Sequence, residues 1–108
     1  MSFEFRSLAE FDRRVKALSR KYPSIKNDLA ALIDELRSDP HAGTSLGRGC
    51  YKVRMRISSQ GQGKSGGARV ITYVRIAGKV IWMLTIYDKS DKVNVREAEI
   101  SSLLAQVP

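Results

Sequence analysis

The first third of the chain repeats apolar residues every three or four positions, which is the period of an amphipathic helix. One helix is predicted over residues 8–20 and a second between Pro23 and Pro40, because proline does not continue a helix. The short joint predicts that the two helices form an antiparallel hairpin. Its apolar positions are Leu8, Phe11, Val15, Leu18, Ile25, Leu29, Leu32, Ile33 and Leu36.

After a loop of turn-forming residues at 41–49, apolar and polar residues alternate, which is the period of a β-strand. Strands are predicted at YKVRMRI (51–57), ARVITYVRIA (68–77) and KVIWMLTIY (79–87), and the last two are close enough to form an antiparallel hairpin. The first of them is amphipathic. Its apolar face holds Tyr51, Val53, Met55 and Ile57, and its basic face holds Lys52, Arg54 and Arg56.

Two capping boxes mark further boundaries. Phe3 and Phe5 alternate with polar residues and predict a short strand, after which the spacing of Ser7 and Glu10 predicts the start of the first helix. Asn94-x-x-Glu97 predicts a last helix in the same way. Helical hairpin, antiparallel strands and C-terminal helix together indicate an α+β fold in a single domain, residues 1–108.

The positive charge is concentrated in the middle of the chain. The 108 residues carry a net charge of +8, and the segment from 40 to 87 contains no acidic residue, whereas the two ends are nearly balanced. A segment charged in this way attracts polyanions, nucleic acid first and acidic protein segments second. Its cations are Arg48, Lys52, Arg54, Arg56, Lys64, Arg69, Arg75 and Lys79.

The composition argues against several other classes of protein. No apolar run has the length of a signal peptide or a membrane span, so we expect a cytoplasmic protein with no membrane partner. Cys50 and His41 are the sole cysteine and histidine, so we expect neither a metal nor another cofactor. Cys50 is interpreted as a structural thiol and His41 as a surface residue at a helix end.

The glycine-rich stretch SSQGQGKSGGAR (58–69) resembles two nucleotide-binding motifs but fits neither. Gly61-x-Gly63-x-x-Gly66 matches the dinucleotide fingerprint, yet a strand follows it where the fingerprint requires a helix. Gly63-Lys64-Ser65 matches the end of a P-loop, but position 58 is serine rather than glycine. Two interpretations remain open: a solvated hairpin tip, or a loop that closes over a phosphate backbone.

Four segments in this order resemble the RelE/ParE superfamily of toxin–antitoxin toxins, and within it the HigB-like branch. They are KYPSIKNDLAALI, YKVRMRI, GQGKSGGARVITY and MLTIYDKSDK, and the resemblance extends over nearly the whole chain. It implies a twisted antiparallel sheet with the helical hairpin on one face and a basic concave face opposite. It also implies a ribosome-dependent endonuclease that cleaves mRNA without a metal, by 2′-hydroxyl attack on the phosphodiester.

The resemblance also implies the site. The matching positions imply catalytic groups at Lys52, Arg54, Arg69, Tyr87 and Lys89, and the remaining cations predicted to bind RNA are Arg48, Arg56, Lys64 and Arg75. Arg69 stays protonated near neutral pH, so it can stabilise charge but cannot act as a base. Tyr87 and the lysines therefore remain the candidates for general acid and general base. A half-buried aromatic role for Tyr87 stays open, and Trp82 is predicted to be a core residue on the opposite face.

A second function is kept beside the first. ParE-like members of the superfamily poison DNA gyrase without cleaving RNA, so a non-enzymatic inhibitor that binds gyrase or RNA is the alternative. In either case the resemblance implies a cognate antitoxin, with possible assembly on operator DNA through that antitoxin. The acid-free segment predicts that the antitoxin presents an acidic stretch and adds apolar contacts, because screened surface ion pairs contribute little.

Overall fold

The computed structural model describes residues 2–61 and 66–108, and it confirms an α+β fold with a helical hairpin before the main strands. The helices are α1 (Ala9–Lys21), α2 (Ile25–Ser38) and α3 (Glu97–Leu104), and a 3-10 turn spans Ser58–Gln60. The strands are β1 (Glu4–Ser7), β2 (Thr44–Gly47), β3 (Cys50–Met55), β4 (Ala68–Arg75) and β5 (Val80–Asp88). Of these, β2 lies in the segment that the sequence pattern indicates as loop.

The five strands form one mixed sheet in the order β1-β5-β4-β3-β2. Strands β3 to β5 are antiparallel, as predicted, and the unpredicted β2 pairs with β3 in the same way, but β1 pairs with β5 in the parallel direction, with Phe5 opposite Ile81. The parallel edge follows from the topology, since α1 and α2 carry the chain from β1 across to the far edge before the antiparallel strands begin. The short β2 pairs only with Cys50 to Lys52, so the rest of β3 is an open edge.

Helices cover the two faces of the sheet unequally. The hairpin of α1 and α2 packs on one face, where its buried Phe11, Leu32 and Leu36 pack with residues of β3 to β5 such as Val53 and Ile86. On the other face α3 covers only one end of the sheet. The cluster beneath it contains Cys50, Ile71, Trp82, Leu84, Ile100 and Leu103. The uncovered end of that face is where polar side chains collect.

A β-bulge in β5 changes the faces of the residues that follow it. Ile71 pairs with Thr85 and Thr72 pairs with Met83, so Leu84 is the extra residue. Because one extra residue reverses the alternation, Trp82 and Tyr87 pack in the same cluster rather than on opposite faces. The prediction of opposite faces was therefore wrong, whereas the core position of Trp82 is confirmed by its burial.

Neither predicted capping box forms as expected. Leu8 is the N-cap of α1, and the Ser7 hydroxyl donates to the carboxylate of Asp12 at 2.7 Å instead of capping the helix. At α3 the helix begins at Glu97 itself, and the Glu99 carboxylate accepts a hydrogen bond from the backbone N–H of Arg96. Among the described residues, no helix has both the length and the apolar character to cross a membrane.

Candidate functional site

Three predicted site residues lie side by side across the centre of the sheet. Arg54 on β3 is the register partner of Arg69 on β4, and Arg69 is the register partner of Tyr87 on β5. We refer to Arg54, Arg69 and Tyr87 as the transverse row. Lys52 lies two residues from Arg54 on the same face of β3, about 6.5–7 Å away along the strand. The strand alternation that buries Val53 and Met55 under the helices turns these polar side chains to the other face.

A cleft of about 460 Å³ opens beside the transverse row. Four of the five predicted catalytic residues line it, namely Lys52, Arg54, Arg69 and Lys89. We refer to it as the basic cleft. Its walls come from the end of α2, from residues 42–44 before and within β2, and from residues 93–94 before α3. A cleft lined by four cations attracts phosphate groups.

Arg69 is the buried cation of this site, with 4% of its surface exposed. Its guanidinium donates hydrogen bonds to the carbonyl oxygens of Gly66, at 2.8 Å, and Ala68, at 3.1 Å. Burial lowers the pKa of Arg69, and the neighbouring Arg54 guanidinium lowers it further, but an arginine remains charged near neutral pH. Two guanidinium groups held side by side repel each other, and an anion bound between them would relieve that repulsion.

Tyr87 is next to Arg69 but lies outside the lining of the basic cleft. Its side chain is buried, and its hydroxyl has no hydrogen-bond partner within residues 2–61 and 66–108. The Lys92 ammonium lies 5.4 Å from the centre of the Tyr87 ring and pairs with the carboxylate of Glu99 on α3. Burial raises the pKa of Tyr87, the Arg69 charge opposes this, and the Glu99 carboxylate adds to the increase. The phenol is therefore protonated at neutral pH.

Two residues of the basic cleft were missed by the sequence interpretation. Asn94 accepts a hydrogen bond from the Lys52 ammonium at 3.0 Å, which holds the lysine head group at the wall of the cleft. Glu35, exposed on α2, also lines the cleft. The sequence signal for Glu35 is weak: it precedes the buried Leu36 at the end of α2, so it lies at the border of the apolar stripe.

Hydrogen bonds fix the first flank of the glycine-rich loop to the helical hairpin. The carboxylate of Asp28 accepts the backbone N–H of Ser58 at 2.9 Å, and the hydroxyl of Ser24 accepts the backbone N–H of Ser59 at 2.9 Å. Burial by itself would raise the pKa of Asp28, but hydrogen bonds from Ser58 and Ser24 outweigh it and lower the pKa. The start of the loop is therefore tied to the N-terminal end of α2.

Hydrogen bonds also hold the second flank of the glycine-rich loop, at Gly67. The backbone carbonyl of Gly67 accepts the N–H of Lys89 at 2.9 Å, and the backbone N–H of Gly67 donates to the side chain of Gln60 at 3.1 Å. Gly67 has φ +66°, and a Cβ there would lie 2.4 Å from the carbonyl oxygen of Met55, so glycine is required. The predicted RNA-binding residue Lys64 lies outside the described residues.

The other predicted RNA-binding residues are not part of the basic cleft. Arg56 lines a smaller neighbouring cleft together with Arg54 and Asp28. Arg48 and Arg75 lie together at the opposite end of the sheet, where they line a hollow of about 260 Å³ against the C-terminal residues 104–108. Arg75 is six residues along β4 from Arg69, which corresponds to roughly 20 Å. The basic segment of the sequence thus forms two separate surfaces.

Metal-binding side chains do not converge in the part of the chain that the structure describes: no group of three His, Cys, Asp or Glu residues lies close enough to hold an ion. His41 packs edge-on against Tyr51, with ring centroids 5.5 Å apart, and does not line the basic cleft. Cys50 is buried, and burial raises the pKa of its thiol. The arrangement is suited to neutralising a phosphate with fixed cations.

Comparisons with known proteins identify the fold and the family of the chain. A family model described as the RelE toxin of the RelE/RelB toxin–antitoxin system matches residues 11–106. A solved structure of the E. coli toxin RelE, a double arginine-to-alanine mutant in the free state, is similar with a TM-score of 0.59 at 16% sequence identity. That similarity covers 98% of this chain and 94% of the E. coli chain, and at this identity it shows a shared fold. Because the family model covers most of the sequence, the chain belongs to the RelE toxin family.

Proposed function

We propose that this toxin is an endoribonuclease that cuts mRNA in the decoding site of the ribosome, by attack of an RNA 2′-hydroxyl on the adjacent phosphorus. The observation that carries the proposal is the transverse row beside the basic cleft, with two guanidinium groups next to a protonated phenol. The HigB-like branch stays a prediction, supported by the string GKSGGAR at 63–69.

In the proposed reaction, the 2′-oxygen forms a bond to phosphorus while the bond from phosphorus to the 5′-oxygen breaks. The products are a 2′,3′-cyclic phosphate and a 5′-hydroxyl. Negative charge builds up on the phosphate oxygens, and we assign Arg54 and Arg69 to stabilise it. The hydrogen bonds of Arg69 to two carbonyl oxygens restrict its guanidinium, so little reorganisation is needed during the reaction. Lys52 and Lys89 add positive charge from the cleft walls.

We assign Tyr87 as the general acid that protonates the departing 5′-oxygen. The raised pKa keeps a proton on the phenol at neutral pH, and Arg69 beside it stabilises the phenolate that forms. Because Lys92 covers the Tyr87 ring, this role requires the Lys92 side chain to move when RNA binds. RNA phosphates compete for the Lys92 ammonium, whose side chain is 31% exposed.

The test is expression of the protein in bacteria, followed by mapping of transcript 5′ ends. The parent protein is expected to arrest growth and to produce new 5′-hydroxyl ends within translated messages. Arg69→Ala and Tyr87→Phe are each expected to lower cleavage by roughly 10²-fold or more. Arg13→Ala, at an exposed position on α1, and Tyr73→Phe are the matched controls. Undiminished cleavage by both site variants would refute the site assignment.

Gyrase inhibition is the competing outcome, and a supercoiling assay on the purified protein detects it. Inhibited supercoiling with intact transcripts would replace the proposed function with the non-enzymatic alternative. Membership of the RelE toxin family implies a cognate antitoxin partner. We propose that this antitoxin lays an acidic segment over the basic cleft and binds operator DNA in complex with the toxin.

A further inference from the structure

The proposed reaction needs a proton acceptor for the 2′-hydroxyl, and none of the five predicted catalytic residues carries a carboxylate or an imidazole. Arg54 and Arg69 stay protonated near neutral pH. Lys52 donates a hydrogen bond to the Asn94 side chain, so its head group is already engaged at the wall of the cleft. The phenol of Tyr87 is buried and protonated. A carboxylate in the cleft is better suited to accept a proton than two guanidinium groups, a lysine engaged with an amide, or a buried phenol.

Glu35 is the carboxylate that lines the basic cleft within the described part of the chain. Glu35 belongs to α2, on the helical side of the sheet, and β2 pairs only as far as Lys52, so the next part of β3 is an open edge. At that open edge α2 approaches Arg54, and Glu35 and Arg54 together line both the basic cleft and its smaller neighbour. The charged residues that line the basic cleft with Glu35 are Lys52, Arg54, Arg69 and Lys89, and Asp28 and Arg56 line the smaller cleft with it.

The placement of Glu35 fits a base better than a purely structural role. Its side chain is exposed, so it contributes little to the core, whereas the adjacent Leu36 is fully buried and anchors this turn of α2. A carboxylate can accept a proton, which a guanidinium near neutral pH cannot. In the proposed complex the surrounding cations hold a phosphate in the cleft that Glu35 also lines.

We infer that Glu35 is the general base of the reaction, with its carboxylate accepting the 2′-hydroxyl proton as the 2′-oxygen attacks phosphorus. This inference rests on the proposed function. The proton from the 2′-hydroxyl ends on the Glu35 carboxylate, the P–O5′ bond breaks, and the 5′-oxygen takes the proton of Tyr87. Glu35 then returns its proton to water, and the Tyr87 phenolate recovers one from water, so the enzyme is regenerated without any further reactant.

A substrate with sulfur in place of the bridging 5′-oxygen separates the two proton transfers. A thiolate leaves without protonation, so the substitution removes the need for a general acid but not for a general base. With a ribosome-bound message carrying this change at the mapped cut site, Tyr87→Phe is expected to recover a rate close to that of the parent. Glu35→Gln is expected to remain at least 10²-fold slow on both the sulfur and the oxygen substrates.

The pH dependence of the single-turnover rate provides the second readout. The parent is expected to lose activity with unit slope toward acidic pH, and Glu35→Gln is expected to lose this acidic limb, with partial recovery in Glu35→Asp. Asp34→Asn is the matched control, since Asp34 is the neighbouring exposed carboxylate, pairs with Arg37 and does not line the cleft. Unchanged melting temperatures verify that each variant is folded.

The outcomes distinguish this inference from the proposed function. A parent protein that leaves both ribosome-bound and free RNA uncut overturns the proposed function and the role of Glu35 together. If the parent cuts RNA but Glu35→Gln cuts at a rate within about threefold of it, with the acidic limb retained, Glu35 is not the base. Recovery of Glu35→Gln by the sulfur substrate would also overturn the inference, because it would place Glu35 at the leaving group.

Discussion

Removal of one hydroxyl, in the variant Tyr22→Phe, is expected to loosen the part of the fold that holds the end of β5. The Tyr22 hydroxyl donates a 2.6 Å hydrogen bond to the carboxylate of Asp88, which is 2% exposed. Asp88 also accepts the backbone N–H of Ser90 at 3.0 Å and lies 3.9 Å from the Lys21 ammonium. These contacts join α1 to the strand end that carries Tyr87.

The size of the stability loss in Tyr22→Phe follows from the negative charge of Asp88, which accepts the hydrogen bond. A hydrogen bond to a charged group contributes about 1.5–3 kcal/mol, and we expect the lower half of this range because the Ser90 and Lys21 contacts remain in the variant. A chain of this length loses roughly 4 °C in melting temperature per kcal/mol. Tyr22→Phe should therefore melt about 6–9 °C below the parent at neutral pH. Tyr73→Phe, which removes the hydroxyl of a half-buried tyrosine on β4, is the control.

The loss should depend on pH in a defined direction. Burial alone would raise the pKa of Asp88, but hydrogen bonds from Tyr22 and Ser90 and the Lys21 charge outweigh it and lower the pKa. A carboxyl whose pKa is lowered by folding stabilises the protein above its unfolded pKa of about 3.9, and the stabilisation is lost as pH falls through the folded value. The gap between Tyr22→Phe and the parent should thus be largest above pH 5 and shrink below pH 4. A gap that is equal at pH 7 and pH 3, measured by calorimetry, would refute this reasoning.

Three further predictions concern the loop, the charge and the partner. Gly67→Ala should lower the free energy of unfolding, measured in denaturant, by about 1–3 kcal/mol or more. Gly61→Ala should cost less, because Gly61 has a similar φ of +74° but open space where a Cβ would lie. Equal losses in the two variants would contradict the role of the close contact at Gly67. The logarithm of the affinity for single-stranded RNA should fall with the logarithm of the salt concentration, with a slope of about −0.7 per phosphate contacted. Lys52→Ala should make that slope shallower by about 0.7. A flat salt response of the parent protein would exclude phosphate contacts. The antitoxin should bind Arg69→Ala and Lys52→Ala less tightly than Arg48→Ala by calorimetric titration, and equal affinities would show that it does not cover the basic cleft.

The parts of the fold that depend on local periodicity could be predicted from the sequence. The helices and the three main strands lie within one to two residues of the predicted bounds, and the helix-facing side of β3 is confirmed by the burial of Val53, Met55 and Ile57. These properties depend on how apolar and polar residues alternate along one helix or strand, and the amino-acid sequence shows that alternation directly. The same alternation places Arg54 and Arg69 on one face of the sheet once β3 and β4 are paired.

The parts that depend on long-range pairing could not be predicted. The parallel partner of β1 lies some 75 residues away along the chain, and no local pattern determines its direction. The bulge at Leu84 has no glycine or proline to mark it, and it moved Tyr87 to the face of Trp82. The position of Glu35 in the cleft depends on how α2 packs against β3, which no local sequence pattern determines.

The bulge in β5 has a consequence for how the length of this strand can vary. If Leu84 were deleted, Met83 would still pair with Thr72 and Thr85 with Ile71, so the strand would become regular and Tyr87 would keep its position beside Arg69. A family member shorter by one residue here would therefore retain the same site, at the cost of one buried side chain. Insertions and deletions elsewhere in β5 would instead displace Tyr87 from Arg69. The number of residues between Trp82 and Tyr87 therefore does not show which residue of a relative corresponds to Tyr87. An alignment of relatives should instead be based on the pairing of Tyr87 with Arg69.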